Sequence, residues 1–430
     1  MSRKPSTLLF AVAAIATLVS SSLFASARLT YTMGDHSVPV AWPASAFPIQ
    51  YEVDRRVMNT LPNAAAVIDR SFAAWSNAPD TTISFQSLGV GDGLVAGEAD
   101  HTNTITLADG LFKDQYAIAS TTNWYDTSGH LTQADIMIDA TLVNSDYNMQ
   151  HALTHEIGHL LGLDHSAVLS AIMFPYVPHG SDAPALDSDD RNAIANIYPK
   201  TDPTLVGGML RGRVQGDSGG VFAAQVVAVN EKGEPVATIL SDQNGDFVLQ
   251  ALPAGDYRLY AEPLDGPVDA RNMAGIWRMA NITAFPTHFC DSGTIHVDSG
   301  KVYGNLVVNT SGPPPTLNPR WIGVTTPTSD SFNLTSIAQT VRPGQSINVA
   351  VAGDGIVGGM TTFNVLNPGF HRTSDFHYAG NYVYATFSIA PDSPAGSAVI
   401  LASNGATQEA TLTGGLRIQA APGRVRSAHH

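Results

Sequence analysis

THEIGHLLGLDHS, residues 154–166, carries three histidines, His155, His159 and His165, with Glu156 beside the first of them and Gly162 between the second and third. His155 and His159 are four residues apart, so on a helix both imidazoles lie on one face, one turn apart. The preceding NSDYNMQHAL offers Ser145 or Asp146 as an N-cap, and a helix can run from there to Leu161 before Gly162 takes the left-handed conformation that ends it. With the chain reversed at Gly162, His165 can return to the same point in space. Three neutral imidazoles leave one position of a tetrahedral zinc ion open for water, and Glu156 is then placed as the base for that water. The bland alternative is an amphipathic helix whose histidines are incidental. It does not explain why Gly162 and His165 stand at these offsets.

HEIGHLLGLDH fits H-E-x-x-H-x-x-G-x-x-H, the metzincin signature, which a Met-turn completes. SAIMFPY supplies that methionine at Met173, and Ser166 directly after the third histidine is similar to the matrixin branch, the group of the matrix metalloproteinases. LDSDDRNAIANIYP, residues 186–199, also resembles the matrixin C-terminal helix, with Asp189 and Asp190 at the start, where carboxylates favour the helix dipole. The resemblance runs from about Val38 to Pro199. It implies that His155, His159 and His165 are ligands of a catalytic zinc, that Glu156 is general base and proton shuttle in the hydrolysis of peptide bonds, and that Met173 forms the apolar floor beneath the metal. It further implies that Phe174 to Val177 line a substrate pocket and that YAIASTTNWY, Tyr116 to Tyr125, is the edge strand along which an extended protein or peptide substrate pairs.

The family pattern is not complete. No cysteine precedes His155, so latency by a propeptide cysteine is not expected. For a structural zinc, Asp100, His101 and His130 are available, but loop histidines are more often simply solvated. Asp109, Asp114, Asp126 and Asp135 offer carboxylates for a structural calcium. His151, one turn before His155, reads equally as a support for the metal site and as buried without a role.

Around this centre the chain of 430 residues is too long for one core and reads as multi-domain, an α+β metzincin catalytic domain followed by two all-β sandwich domains. Residues 1–27 have the layout of a secretory signal, basic at Arg3 and Lys4, apolar from Leu8 to Val19 and closing on Ala25-Ser26-Ala27. The peptidase-like domain is assigned to 28–202. In it VPVAWPASAFPIQYEVD reads as one extended segment, and LPNAAAVIDRSFAAWSNAP as a helix with Ala65, Ile68, Phe72 and Trp75 on its apolar face. Residues 203–310, with their SDQNGDF turn and LPAGDYRL return strand, resemble the carboxypeptidase regulatory-like, transthyretin-like sandwich. A linker is assigned to 311–320, an immunoglobulin-like domain similar to the IPT/TIG kind to 321–420, and a disordered tail to 421–430.

The formal net charge of −15, with no Lys/Arg run, argues against a nucleic-acid partner. No segment after the signal is apolar for long enough to span a membrane. The expected location is therefore secreted or extracellular, with the periplasm as the other possibility. Cys290 is the only cysteine, so no intrachain disulfide can form. Two functions remain in view. One is a secreted zinc endopeptidase whose β domains bind a surface or polymer; the other is an adhesin or binding protein that holds zinc in a metzincin-like domain without turnover.

Overall fold

A computed structural model describes residues 28–33, 36–110, 112, 117–178, 184–202, 207–405 and 407–419. The signal-like segment 1–27 and the tail 421–430 lie outside the described residues, as do Asp114 and Tyr116.

In chain order the first region contains β1 (Thr30–Met33), β2 (His36–Pro39), β3 (Ile49–Asp54), α1 (Arg55–Thr60), α2 (Ala64–Ser76), β4 (Phe85–Gly91), β5 (Thr104–Leu107), β6 (Ala119–Tyr125), β7 (Leu131–Ile138), α3 (Asp146–Leu160) and α4 (Ser188–Ile197). β1 and β2 pair as an antiparallel ribbon. The five-stranded sheet has the order β4-β3-β5-β7-β6. β3, β4, β5 and β7 run parallel to their neighbours, while β6 lies antiparallel to β7 at the edge. Ile136 and Ile138 of β7 are buried against α3, and Met137 between them is only half-buried, the alternation a one-sided strand requires. α2 and α3 pack on the same face of the sheet, where Trp75 is fully buried and donates its indole N–H to the Thr154 carbonyl at 2.8 Å.

Two local expectations need correction. The apolar face of α2 is Ala64, Val67, Ile68, Phe72 and Trp75, whereas Ala65 points to solvent. VPVAWPASAFPIQYEVD is not one extended segment: β2 ends at Pro39, a 3₁₀ turn spans Ala44–Ala46 and β3 starts at Ile49. Pro39, Pro43 and Pro48 lack the N–H that a continuous ladder would use.

Beyond α4 the described residues form strands, two short 3₁₀ turns (Ala270–Asn272 and Gly275–Trp277) and no further α-helix. Strands within 208–309 form two sheets. One has the order Pro235–Leu240, Gln225–Asn230, Gly255–Glu262, His288–Val297, and the other Asp246–Leu252, Gly208–Gly216, Val302–Asn309. Two more sheets follow between Asn318 and Ile418. The segment 311–320 expected as linker already contains the start of a strand, Asn318–Thr325. Asn318 pairs with Asp354 and donates its side-chain amide to the Asp265 carbonyl at 3.1 Å, which ties this end of the segment to both β regions.

The regions are fastened to one another by buried polar contacts. Asp189 at the start of α4 accepts from the Thr238 N–H at 2.9 Å and its hydroxyl at 2.8 Å. The Leu169 N–H donates to the Thr413 carbonyl at 2.9 Å. Glu262 accepts from the hydroxyls of Thr411 and Thr413.

Candidate metal centre

Ser145 caps α3, its hydroxyl accepting from the Asn148 N–H at 3.1 Å, and Asp146 stands in the first turn. At the other end Gly162 has φ +91°, and a Cβ there would lie 2.7 Å from the Val40 carbonyl oxygen. Only glycine satisfies both the left-handed backbone and the close approach of β2's end. The Leu163 N–H donates to the Gly158 carbonyl at 3.0 Å, closing the reversal that carries the chain to His165.

The ligand nitrogens of His155, His159 and His165 lie within 4.8 Å of one another. Among the described residues no other three His, Cys, Asp or Glu side chains gather as a candidate cation site. Each ring is oriented by a main-chain carbonyl: His155 Nδ1 sits 2.8 Å from the Ile172 oxygen and His159 Nδ1 2.8 Å from the Leu163 oxygen, while His165 Nδ1 contacts the Asn272 oxygen. A carbonyl oxygen can only accept, so each Nδ1 carries the proton and each Nε2 keeps a bare lone pair. Burial pushes the His155 pKa well below its usual value, helped by the neighbouring His159 and His165. Burial likewise lowers His159, and it lowers His165 to about 4, with the charge of His159 acting in the same direction. At neutral pH the three rings are uncharged, the form in which imidazole binds a metal. The donor set, three neutral nitrogens, fits zinc.

Glu156 is buried beside them, and its Oε2 accepts from the Thr121 hydroxyl of β6 at 2.7 Å. Burial lifts the carboxyl to about 7, with the Thr121 hydrogen bond pulling the other way. Met173 lies against α3 so closely that a Cβ on Gly158 would fall 2.2 Å from its sulfur. The turn that holds Met173 is fastened by Asp190, whose carboxylate accepts from the Ile172 N–H at 2.7 Å and the Met173 N–H at 3.1 Å. Asp189 accepts from the Ser166 hydroxyl at 2.7 Å. The sequence suggested only a helix-dipole role for these two acids. Burial raises Asp190 to about 7 and Asp189 to about 6.

A cleft of about 830 Å³ opens on this centre. Ala119, Ser120, Thr121 and Asn123 of β6 form one side, Phe174 to Val177 another, and Arg271 to Ala274 with Arg278, from the region after α4, a third. The sequence offers Thr121 only a place in the candidate edge strand and Asp190 only a helix-dipole role, and it carries no sign of the Asn272 segment.

His151 does not reach the cleft. It is buried on α3, lines a separate cavity of about 590 Å³ with Ser170 and Arg417, and among the described residues its Nδ1 has no hydrogen-bond partner. Of the residues considered for other ions, the side chains of five of the described ones have local partners. His130 pairs with Asp126 at 3.3 Å, Asp100 accepts from the Thr102 N–H at 2.9 Å, Asp109 accepts from Arg56 at 2.7 Å, and Asp135 accepts from the Gly97 N–H at 2.9 Å and the Thr104 hydroxyl at 3.0 Å. These groups do not converge, and calcium finds no support.

Residues 41–199 match the family model of the matrixins. Metalloendoproteinase 2-MMP of Arabidopsis thaliana is 27% identical over 228 residues, covering 49% of this chain and 57% of that protein. Interstitial collagenase A of Mus musculus is 32% identical over 151 residues, 33% of this chain and 31% of that protein. Metalloendoproteinase 1 of Glycine max is 43% identical over 56 residues, 13% of this chain and 18% of that protein. The chain thus spans little more than half the length of the first relative and less than a third of the other two. For the β regions, the likeness to a Bacteroides ovatus mixed-linkage glucan utilization protein, SGBP-B, has a TM-score of 0.18 at 12% identity over 49% of this chain and 43% of that one, too slight to identify them. Residues 41–199 are a matrixin domain.

Proposed function

We propose that this chain is a zinc-dependent endopeptidase, with His155, His159 and His165 as the metal ligands and Glu156 as the general base. The observation that carries the reading is the set of three neutral imidazoles, His155 buried and His159 and His165 half-buried, each with its Nδ1–H committed to a carbonyl, gathered beside a buried carboxylate at the floor of an open cleft. A zinc ion held there supplies Lewis acidity toward a peptide carbonyl and toward water. Glu156, held by Thr121, takes a proton from the attacking water and returns it to the leaving amine. Its carboxylate form is favoured when a cation is close by, which offsets the effect of burial. β6 is an edge strand with one side of its backbone unpaired, so an extended substrate can lie along it by main-chain hydrogen bonding. Met173 closes the apolar floor behind the histidines.

The signal-like residues 1–27 support export, and among the described residues no helix is long and apolar enough to cross a membrane. The domain limits 28–202, 203–310 and 321–420 serve as a working division of the chain.

The test is Glu156→Ala in the full chain. Zinc is expected to remain at one ion per chain while hydrolysis of a broad peptide library falls by about 10²–10⁴-fold, the usual contribution of a general base. A zinc-loaded wild-type chain that cleaves no peptide in that library would leave the non-catalytic binding protein as the better account.

A further inference from the structure

The segment from Asp269 to Arg278 belongs to the β region after α4, yet it forms a wall of the cleft. Its placement is rigid. The Ala274 N–H donates to the Asp164 carboxylate at 2.8 Å, and the Asn272 carbonyl orients His165. Gly275, at φ +57°, leaves no room for a side chain, since a Cβ would meet the Thr30 hydroxyl at 2.2 Å. The Trp277 ring stacks on Phe222 at 5.3 Å, with 27° between planes. A wall anchored through a metal-site histidine, its neighbouring aspartate and the N-terminal ribbon is fixed before substrate arrives.

The charged side chains that this wall contributes to the cleft lining are both cations. Apart from the three histidines, Glu156, Asp164 and the phenol of Tyr176, the ionisable side chains lining the metal-site cleft are Arg271 and Arg278, in a chain whose formal net charge is −15. Asp164 turns inward, accepting from the main chain of His165 and Ala274. Arg271 is held at one edge by Asp269 at 2.6 Å, which fixes its direction and leaves further N–H donors free. Arg278 is exposed and has no ion pair among the described residues. The opposite wall, β6, presents Ser120, Thr121 and Asn123, which are neutral.

We infer that the cleft is shared between the matrixin domain and the following β region, and that Arg271 and Arg278 select peptides bearing an aspartate or glutamate side chain close to the scissile bond. The inference rests on the peptidase reading. A guanidinium meets a carboxylate with parallel N–H donors, which makes the contact directional even for exposed side chains such as Arg271 and Arg278.

The experiment compares kcat/KM on matched peptides that differ at single positions, Glu against Gln against Lys, all amidated at the C-terminus so that the side chain is the only variable carboxylate. Wild type is expected to prefer Glu over Gln by about fivefold or more, and the preference is expected to shrink as salt rises. The charge reversal Arg271→Glu/Arg278→Glu is expected to invert the ranking toward Lys with zinc still at one ion per chain. Arg278→Ala alone, an exposed position, is expected to weaken the Glu preference without reversing it. An active wild type and variant that rank the three peptides alike would overturn the inference and leave the peptidase reading standing. A zinc-loaded wild type inert to every peptide would overturn both.

Discussion

At the scale of single residues, Thr121 is the first to test because it holds the carboxylate proposed as the general base. Its hydroxyl lies 2.7 Å from Glu156 Oε2 and 3.0 Å from the Glu156 main-chain oxygen. Thr121→Val keeps the shape of the strand residue and removes the donor. Steady-state kinetics should show kcat lowered by about tenfold with KM within about twofold, the pattern of an interaction that matters in the transition state. Equal losses in KM and kcat, or loss of zinc, would mean the residue serves packing instead. The histidines and Glu156 could be read from sequence because their spacing is local: one helix turn joins His155 to His159, and Gly162 marks the reversal that returns His165. Thr121 could not, since a threonine in a β-strand is ordinary and its partner lies 35 positions away. The Asn272 carbonyl is harder still, because a main-chain oxygen leaves no trace in the residue type.

At the scale of elements, α3 was legible from its cap to its terminating glycine, since Ser145 and Gly162 each answer a demand made by the helix itself. Gly158 shows what pattern alone misses. It occupies an unspecified position of the H-E-x-x-H motif, yet a Cβ there would meet the Met173 sulfur at 2.2 Å and the Trp75 ring at 3.0 Å. The helix and the methionine turn pack backbone to sulfur, so the motif's middle residue is chosen by tertiary contact. Ile68, Phe72 and Trp75 of the buried face of α2 followed from periodicity, whereas Ala64 and Val67 did not, nor did α1. It is a short helix started by Asp54, whose carboxylate accepts from the Arg56 N–H at 2.7 Å, and six residues are too few to show a period. Asp189 and Asp190 look like dipole partners in sequence. In the fold they fasten α4 to Ser166, to the methionine turn and to Thr238, links that only the assembled chain creates.

For the whole molecule, Glu262 tests whether the β regions are joined as a unit. It is half-buried between strands Gly255–Glu262 and Glu409–Ile418, where it accepts from Thr411, from Thr413 and, at 3.1 Å, from the Gln225 amide. Burial lifts its carboxyl to about 7 from 4.5, with the nearby Asp265 charge adding to the rise. A carboxyl raised in the folded state favours folding while it is protonated, so its contribution is complete below about pH 4.5 and is lost as pH rises through about 7. The full shift corresponds to an upper figure of about 3 kcal/mol. Glu262→Gln should therefore flatten the fall in stability between pH 5 and 8, read from urea midpoints across that range. An unchanged pH slope would mean the group is solvated. The union of two regions around one cleft was not readable in sequence, because the Asp269–Arg278 segment looks like an ordinary loop of a β-sandwich and lies more than a hundred residues from His165.

The central claim is that His155, His159 and His165 hold one zinc ion through their bare nitrogens. X-ray absorption at the zinc edge, on full-length protein purified without chelators and supplied with the ion, measures it directly. One zinc per chain with three nitrogen donors at about 2.0–2.1 Å is the predicted result; substoichiometric metal, or a first coordination sphere without three imidazoles, would contradict it.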